Sequence, residues 1–175
     1  MSVSVCDYKS FIRDVPDYPK KGITFKDITP LLSNANAFSS AVKAMVKPFE
    51  NHKISKVVCV EARGFIFGAA IANYLGVGFT PVRKLGKLPY KTNDIKYDLE
   101  YGQDTLSIHQ DALTNMDSVL IVDDLLATGG TVLAAVKLIE DLGATIVGAS
   151  FLIDLSFLGG RAKMPPFQIE TVLEY

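Results

Sequence analysis

The most legible pattern in the chain lies between residues 119 and 142. Val119-Leu-Ile-Val122 is an unbroken, mostly β-branched run, as expected of a strand buried on both faces of a parallel sheet. Two aspartates, Asp123 and Asp124, stand where that strand is expected to end, and Ala127-Thr128-Gly129-Gly130-Thr131 follows as a small-residue turn. Val132, Val136, Ile139 and Leu142 then recur at helical spacing, with Gly143 as the stop. Strand, acidic tip, glycine loop and helix form one unit. The same order occurs upstream, where 54–60 reads as a buried strand, Glu61-Ala62-Arg63-Gly64 as a loop, and 65–75 as a helix closed by Gly76.

The remaining pattern fits around these two units. Residues 8–13 suggest a short helix ended by Pro16 and Pro19, and an irregular segment runs on to Pro30, with Thr24-Phe25-Lys26 as a short exposed strand. Ser33 or Asn34 can cap a helix whose apolar stripe is Phe38, Val42, Met45 and Phe49, with Pro48 distorting its last turn. Strands are expected at 77–82, 104–109, 145–153 and 167–175, and a loop at Gly159-Gly160-Arg161. Between 83 and 102 the chain is polar, carries Arg83, Lys84, Lys87, Lys91 and Lys96, and keeps no sustained apolar period. So long a stretch inside a compact domain argues for a functional lid. Strands alternating with helices predict a single α/β domain over 1–175, a mainly parallel twisted sheet flanked by helices, with ligands at the carboxyl ends of its strands.

Composition narrows the partners. With 18 basic and 19 acidic residues the net charge is -1, so no global basic field recruits nucleic acid or an anionic membrane. The chain has no run of ~18 apolar residues for a membrane span, and its first ten residues lack the apolar core of a secretion signal. The expected location is cytoplasmic, with no nucleic acid and no membrane as partner. Cys6 and Cys59 are far apart and lack metal-ligand spacing, and Cys59 reads as a small buried hydrophobe.

The glycine loop suits a phosphate. Glycines let the backbone approach an anion, the first N–H groups of the following helix are free to point at it, and Thr128 and Thr131 add hydroxyl donors. No Lys follows the glycines and no G-x-G-x-x-G opens the helix, which excludes the triphosphate and dinucleotide loops. A phosphate loop beside two carboxylates suggests a ligand with a phosphate at one end and hydroxyls nearby, as in a ribose 5-phosphate. In the upstream loop Arg63 supplies a fork of donors and Gly64 allows close approach, implying a second anion site. His109 reads as a strand-end surface residue, and Glu100 by composition alone is an exposed acid.

These motifs resemble those of the type I phosphoribosyltransferases, in particular the adenine-using branch. The likeness extends to Gly22-Ile-Thr-Phe-Lys-Asp-Ile-Thr-Pro30, Arg83-Lys-Leu-Gly-Lys-Leu-Pro89 and Tyr97-Asp-Leu-Glu-Tyr-Gly102, in the family's order, and covers most of the chain. The resemblance implies a five-stranded core, a small hood, a flexible lid loop and a homodimer. It implies transfer of phosphoribosyl from 5-phosphoribosyl 1-diphosphate to adenine, giving AMP and diphosphate, with Mg2+ held mainly by substrate oxygens and waters rather than by direct protein ligands. By the same resemblance, Ala127, Thr128, Gly129, Gly130 and Thr131 hold the 5-phosphate, and Asp123 and Asp124 the ribose. Glu61, Ala62, Arg63 and Gly64, together with Arg83, Lys84 and Lys87, hold the diphosphate, and the Glu61-Ala62 peptide is cis. Phe25 stacks on adenine, the backbone at Thr24 and Lys26 reads its edge, and Leu155 lines it. Glu100, Asp123 and Asp124 are the catalytic groups, with Glu100 managing the proton on the purine. Two other readings share parts of this pattern: a phosphoribosyltransferase for another base, and a noncatalytic sensor of phosphoribosyl diphosphate.

Overall fold

A two-stranded antiparallel ladder lies near the start of the chain: β1 (Arg13–Val15) pairs with β2 (Phe25–Asp27), with Asp14 opposite Lys26. The computed structural model describes residues 7–98 and 102–175, which fall into two units, Met1–Ala44 and Met45–Tyr175. In the first unit the helix expected at 8–13 is a single 3₁₀ turn, Tyr8–Phe11, and Arg13 already belongs to a strand. So short a segment cannot repay helix nucleation. A brief helix not anticipated from the pattern, α1 (Thr29–Ser33), starts around Pro30, whose fixed φ and missing N–H suit a first turn. Next comes α2 (Ala35–Val46), whose last two residues belong to the second unit. Asn34 is its cap: Oδ1 accepts the N–H groups of Asn36 (3.1 Å) and Ala37 (3.0 Å). The chain tightens into a 3₁₀ turn, Lys47–Phe49, where Pro48 interrupts the helical bonding.

The second unit is the α/β body. Its elements are β3 (Lys56–Val60), α3 (Gly64–Leu75), β4 (Gly78–Lys84), β5 (Thr92–Asp98), β6 (Gln103–His109), β7 (Ser118–Leu126), α4 (Gly130–Asp141), β8 (Thr145–Asp154) and β9 (Gln168–Glu174). Among the described residues these strands form a seven-stranded sheet in the order β5-β6-β4-β3-β7-β8-β9. The five strands from β4 to β9 in that order are parallel to one another, and β6 and β5 are antiparallel additions at one edge. The core is apolar on both faces: Val58, Val60, Ile121 and Phe151 belong to one cluster with Val132, Val136 and Ile139 of α4. On α3, Phe67 and Ile71 are buried, and a Cβ on Gly68 would collide with Cys59 Sγ, so helix and strand approach as closely as a glycine permits. Burial pushes the Cys59 thiol well above its usual range, as befits a packing residue.

Chain path fixes where a ligand can sit. From β3 the chain crosses through α3 to β4 on one side; from β7, the adjacent strand, it crosses through α4 to β8 on the other. Right-handed crossovers in opposite directions put the two helices on opposite faces. The loops leaving β3 and β7 therefore diverge and open a crevice at the carboxyl ends of these two strands.

Residues 83–102, expected as a lid, contain strand: Arg83 and Lys84 end β4, and 92–98 form β5. β5 pairs with β6 over seven residue pairs, from Thr92 opposite His109 to Asp98 opposite Gln103. Ile95 and Tyr97 pack against the core cluster, and these two apolar residues at period two are the whole sequence signal. Between β4 and β5 runs an irregular turn, 85–91, while Glu100 lies outside the described residues. His109, expected at the surface, is half-buried; its ring meets Tyr90 edge-on at 6.1 Å, and its Nε2 is buried with no hydrogen-bond partner.

The amino ends of β3 and β7 are closed by a polar clasp. Asp117 Oδ1 accepts from Ser55 Oγ (2.8 Å), while Oδ2 accepts the Thr114 N–H (2.8 Å) and hydroxyl (3.1 Å) and pairs with Lys56 Nζ (3.2 Å). Lys56 Nζ also donates to the Ala112 carbonyl at 2.7 Å. Burial pushes the Asp117 carboxyl up, but the donors around it outweigh that and bring it down to about 2.

Candidate active site

A cavity of about 270 Å³ opens at the crevice, lined by Glu61, Ala62, Arg63, Asp123, Asp124, Leu125, the loop from Ala127 to Thr131, and Val132. The two loops singled out in the sequence thus share one site. β7 does not stop at the aspartates: pairing of Leu125 with Ile153 and Leu126 with Asp154 carries it to Leu126, so both acids project from a regular strand. The glycine loop is the short link from Leu126 to α4. Gly129 has φ +85° and its carbonyl accepts the Leu133 N–H (2.9 Å), which starts the helix there.

Asp124 is buried, and its Oδ2 lies 2.9 Å from Arg63 Nη2. Burial pushes its carboxyl above the usual range, while the Arg63 charge pulls it back. Asp123, half-open to the cavity, is raised well above its usual range by desolvation and then by the Asp124 charge, and its Oδ1 accepts the Asp124 N–H at 2.9 Å. The pair takes its first proton at a higher pH than an isolated carboxylate, a property of the pair rather than of either residue. Gly64 stands directly beside Asp123. A Cβ there would lie 2.5 Å from Asp123 Oδ1, so the missing side chain makes room for the carboxylate of this chain.

Three of the four cations expected at a diphosphate are held by acids. Arg63 is on Asp124; Arg83 donates from Nε (3.0 Å) and Nη2 (2.8 Å) to Glu61 Oε2; Lys84 Nζ pairs with Asp104 at 3.1 Å. Glu61 emerges as an organiser. Its Oε1 accepts the Lys84 N–H (2.7 Å), and although partial burial raises its carboxyl, that N–H and Arg83 together hold it below its usual range. The Glu61–Ala62 peptide is cis, as expected. Lys87 follows at the turn after β4, its carbonyl accepting from Arg83 Nη1 at 3.0 Å.

Leu155 follows β8, its N–H on the Leu126 carbonyl at 2.9 Å. Beyond it lies the loop expected at Gly159-Gly160-Arg161. Gly160 lies so close to the Ala127 carbonyl that no Cβ fits, and Lys163 Nζ donates to the Thr128 carbonyl at 3.0 Å. Gly159-Gly160 was the only sequence signal for this packing. In the first unit Phe25 lies on β2 with Tyr18 edge-on at 5.3 Å, Thr24 is exposed just before it, and Lys26 Nζ is on Asp14 at 2.7 Å. Among the described residues no group of three or more His, Cys, Asp or Glu could cage a metal ion. Asp123 and Asp124 offer hard oxygens at the cavity, which fits a magnesium ion carried mainly by substrate oxygens and waters.

Fold and site together define a class: the chain belongs to the phosphoribosyl transferase domain family, which matches residues 27–157. Its relatives place it, within that family, among the adenine phosphoribosyltransferases. The adenine phosphoribosyltransferase of Solidesulfovibrio magneticus is 51% identical over 168 residues, covering 96% of this chain and 98% of that one. The crystal structure of the Thermoanaerobacter pseudethanolicus enzyme superposes with a TM-score of 0.93 at 50% identity, covering 96% and 98%. The Saccharomyces cerevisiae enzyme, crystallised with adenine and an imino-altritol bisphosphate, gives 0.90 at 39% identity, covering 95% and 96%.

Proposed function

We infer that this enzyme makes AMP in purine salvage, transferring phosphoribosyl from 5-phosphoribosyl 1-diphosphate to adenine and releasing diphosphate. The observation that carries the reading is the single cavity shared by the paired aspartates, the glycine loop and the Glu61–Arg63 turn. The Saccharomyces cerevisiae relative, solved with adenine and a sugar-like bisphosphate, accepts ligands of the same two chemical kinds.

Purine N9 bonds to ribose C1 as the bond from C1 to the diphosphate oxygen breaks. The electron pair leaves with diphosphate and the N9 proton is lost. Positive charge builds on the ribose, so the site works mainly by electrostatics. Asp123 and Asp124 bind the ribose hydroxyls and face that charge; positive charge arriving with the substrate favours the ionised pair. The 5-phosphate is anchored by Ala127, Thr128, Gly129, Gly130 and Thr131. Arg63 has donors enough for Asp124 and a diphosphate oxygen at once, and Arg83, Lys84 and Lys87 neutralise the rest. Magnesium, when bound with the substrate, supplies further neutralisation of the leaving group. Phe25 stacks on the base, the backbone at Thr24 and Lys26 reads its edge, Leu155 lines it, and Glu100 takes the proton; these assignments rest on the family resemblance.

The chain works as one phosphoribosyltransferase domain in the cytoplasm, as a homodimer. Supporting the dimer, Ile66 and Tyr74 of α3 and Phe79 of β4 are exposed apolar side chains, and Phe65 meets Phe79 edge-on at 5.6 Å. Among the described residues no helix is long and apolar enough to cross a membrane.

A base competition with magnesium and phosphoribosyl diphosphate tests the reading. Adenine should be consumed and hypoxanthine rejected by up to ~10⁴-fold, because a site paired to one edge pattern leaves buried groups unmatched by the other. Comparable turnover of the two bases would overturn it.

A further inference from the structure

The phosphate loop has a structural weakness. Thr128, Gly129 and Gly130 are consecutive, and glycine leaves a peptide plane free to turn, since both signs of φ are open to it. A loop whose N–H groups must face an anion loses affinity if it has to select that orientation on binding. Something outside the loop has to hold it.

That support comes from the turn after β8. Gly160 is buried, and its α-carbon lies where a Cβ would overlap the Ala127 carbonyl and come within 3.0 Å of the Gly129 nitrogen. Three residues on, Lys163 Nζ donates to the Thr128 carbonyl at 3.0 Å. On the loop side, a Cβ on Gly129 would meet Met164 Cε at 2.7 Å and the Gly160 carbonyl at 3.1 Å. The turn is itself anchored to the sheet: Arg161 Nε lies 3.4 Å from the buried Asp154 Oδ2, and its Nη2 lies 3.3 Å from Thr171 Oγ1 of β9. The peptide between Thr128 and Gly129 is planar, so fixing its carbonyl fixes the direction of the Gly129 N–H. The ammonium also places a positive charge behind the loop.

We propose that Lys163 is a positioning residue for the 5-phosphate: by holding the Thr128 carbonyl from outside the cavity it sets the Thr128–Gly129 peptide plane before the anion arrives. This rests on the reading of Ala127 to Thr131 as the 5-phosphate anchor. Lys163 is not among the residues that line the cavity, so its influence would reach a ligand through the Thr128 carbonyl and the loop that carries it. A contact made equally in ground and transition states changes KM rather than kcat.

The test compares Lys163→Met, Lys163→Arg and Thr131→Ala in the full-length protein, with AMP and adenosine as titrants and steady-state kinetics alongside. Lys163→Met should weaken AMP about fivefold, the size of one net hydrogen bond. It should raise KM for phosphoribosyl diphosphate similarly, and leave adenosine binding, KM for adenine, kcat and the melting temperature unchanged. Lys163→Arg, which keeps a charged donor, should restore most of the loss. Equal weakening of AMP and adenosine would make Lys163 merely structural and overturn the proposal. No change in AMP binding by Lys163→Met, with a clear loss in Thr131→Ala, would overturn it while leaving the loop as the phosphate anchor. No loss in either variant would remove the anchor reading and the proposal together.

Discussion

At the amino ends of β3 and β7, Asp117 is surrounded by donors and its carboxyl is driven down to about 2; at the carboxyl ends of the same two strands, Asp123 and Asp124 are crowded together and driven up. One acid is satisfied by Ser55, Lys56 and Thr114, whereas the other two have Arg63 as their nearby cation and face an open cavity. The residue type is the same and the strand they flank or belong to is the same, so the difference lies in what was built around each carboxylate. A carboxylate with its partners in place adds to stability. Two held close together with one cation between them subtract from it, and their charge becomes available to a ligand.

Substitution should separate the two ends most widely. Asp124→Asn is expected to lower kcat/KM about 100-fold, the scale of removing one preorganised electrostatic contact, without loss of folding stability. Asp123→Asn should lower kcat/KM as well and raise the urea midpoint at pH 7, since it removes a charge that burial and Asp124 disfavour. A folded-state pKa that is raised costs stability at pH values above it, which fixes the sign. A drop in midpoint for Asp123→Asn would break the comparison. Asp117→Ala should do the reverse, costing on the order of 3 kcal/mol by stranding Lys56 and the Thr114 N–H, with kcat/KM unchanged at a temperature where it is folded.

The pH dependence sharpens the same contrast. Asp117 is depressed from 3.8 to about 2, so its contribution is complete above the unfolded value and disappears as pH falls through that window. The stability gap between wild type and Asp117→Asn should close there by roughly 2 kcal/mol, and a gap that stayed constant down to pH 2 would remove the clasp from the account. The smallest effect concerns the hairpin. Trypsin should cut after Lys87 and Lys91, both exposed outside the β5 ladder, and spare Lys96, which is paired with Thr105. Magnesium with phosphoribosyl diphosphate should slow those cuts a few-fold if the turn closes over the anion, and equal rates with and without ligand would mean it is static.

Much of this was legible in the chain itself. Val57 to Val60 and Val119 to Val122 read as buried strands because a parallel interior strand must be apolar on both faces, and Gly76 marked a helix end because it takes a left-handed φ of 68°. The glycine loop and the paired acids stood out as motifs, and they do line one cavity. Pairwise contacts were not legible. That Arg63 lies on Asp124, that Glu61 gathers Arg83, and that Gly64 yields space to Asp123 depend on how loops from different strands meet. Gly160 and Lys163 lie far along the chain from the loop they support, beyond α4 and β8, and no local period connects them. β5 was missed because Ile95 and Tyr97 are too few to declare a strand until β6 supplies its hydrogen bonds.

The opposed crossovers from β3 and β7 have a consequence for engineering. The crevice exists because the backbone route divides there, and no single side chain creates it. Rewriting the Glu61–Arg63 and Ala127–Thr131 turns can therefore change the chemistry of the cavity while leaving the location of the site unaltered. A library confined to those two turns and the 159–164 turn would explore new donors and acceptors on a frame that need not be redesigned.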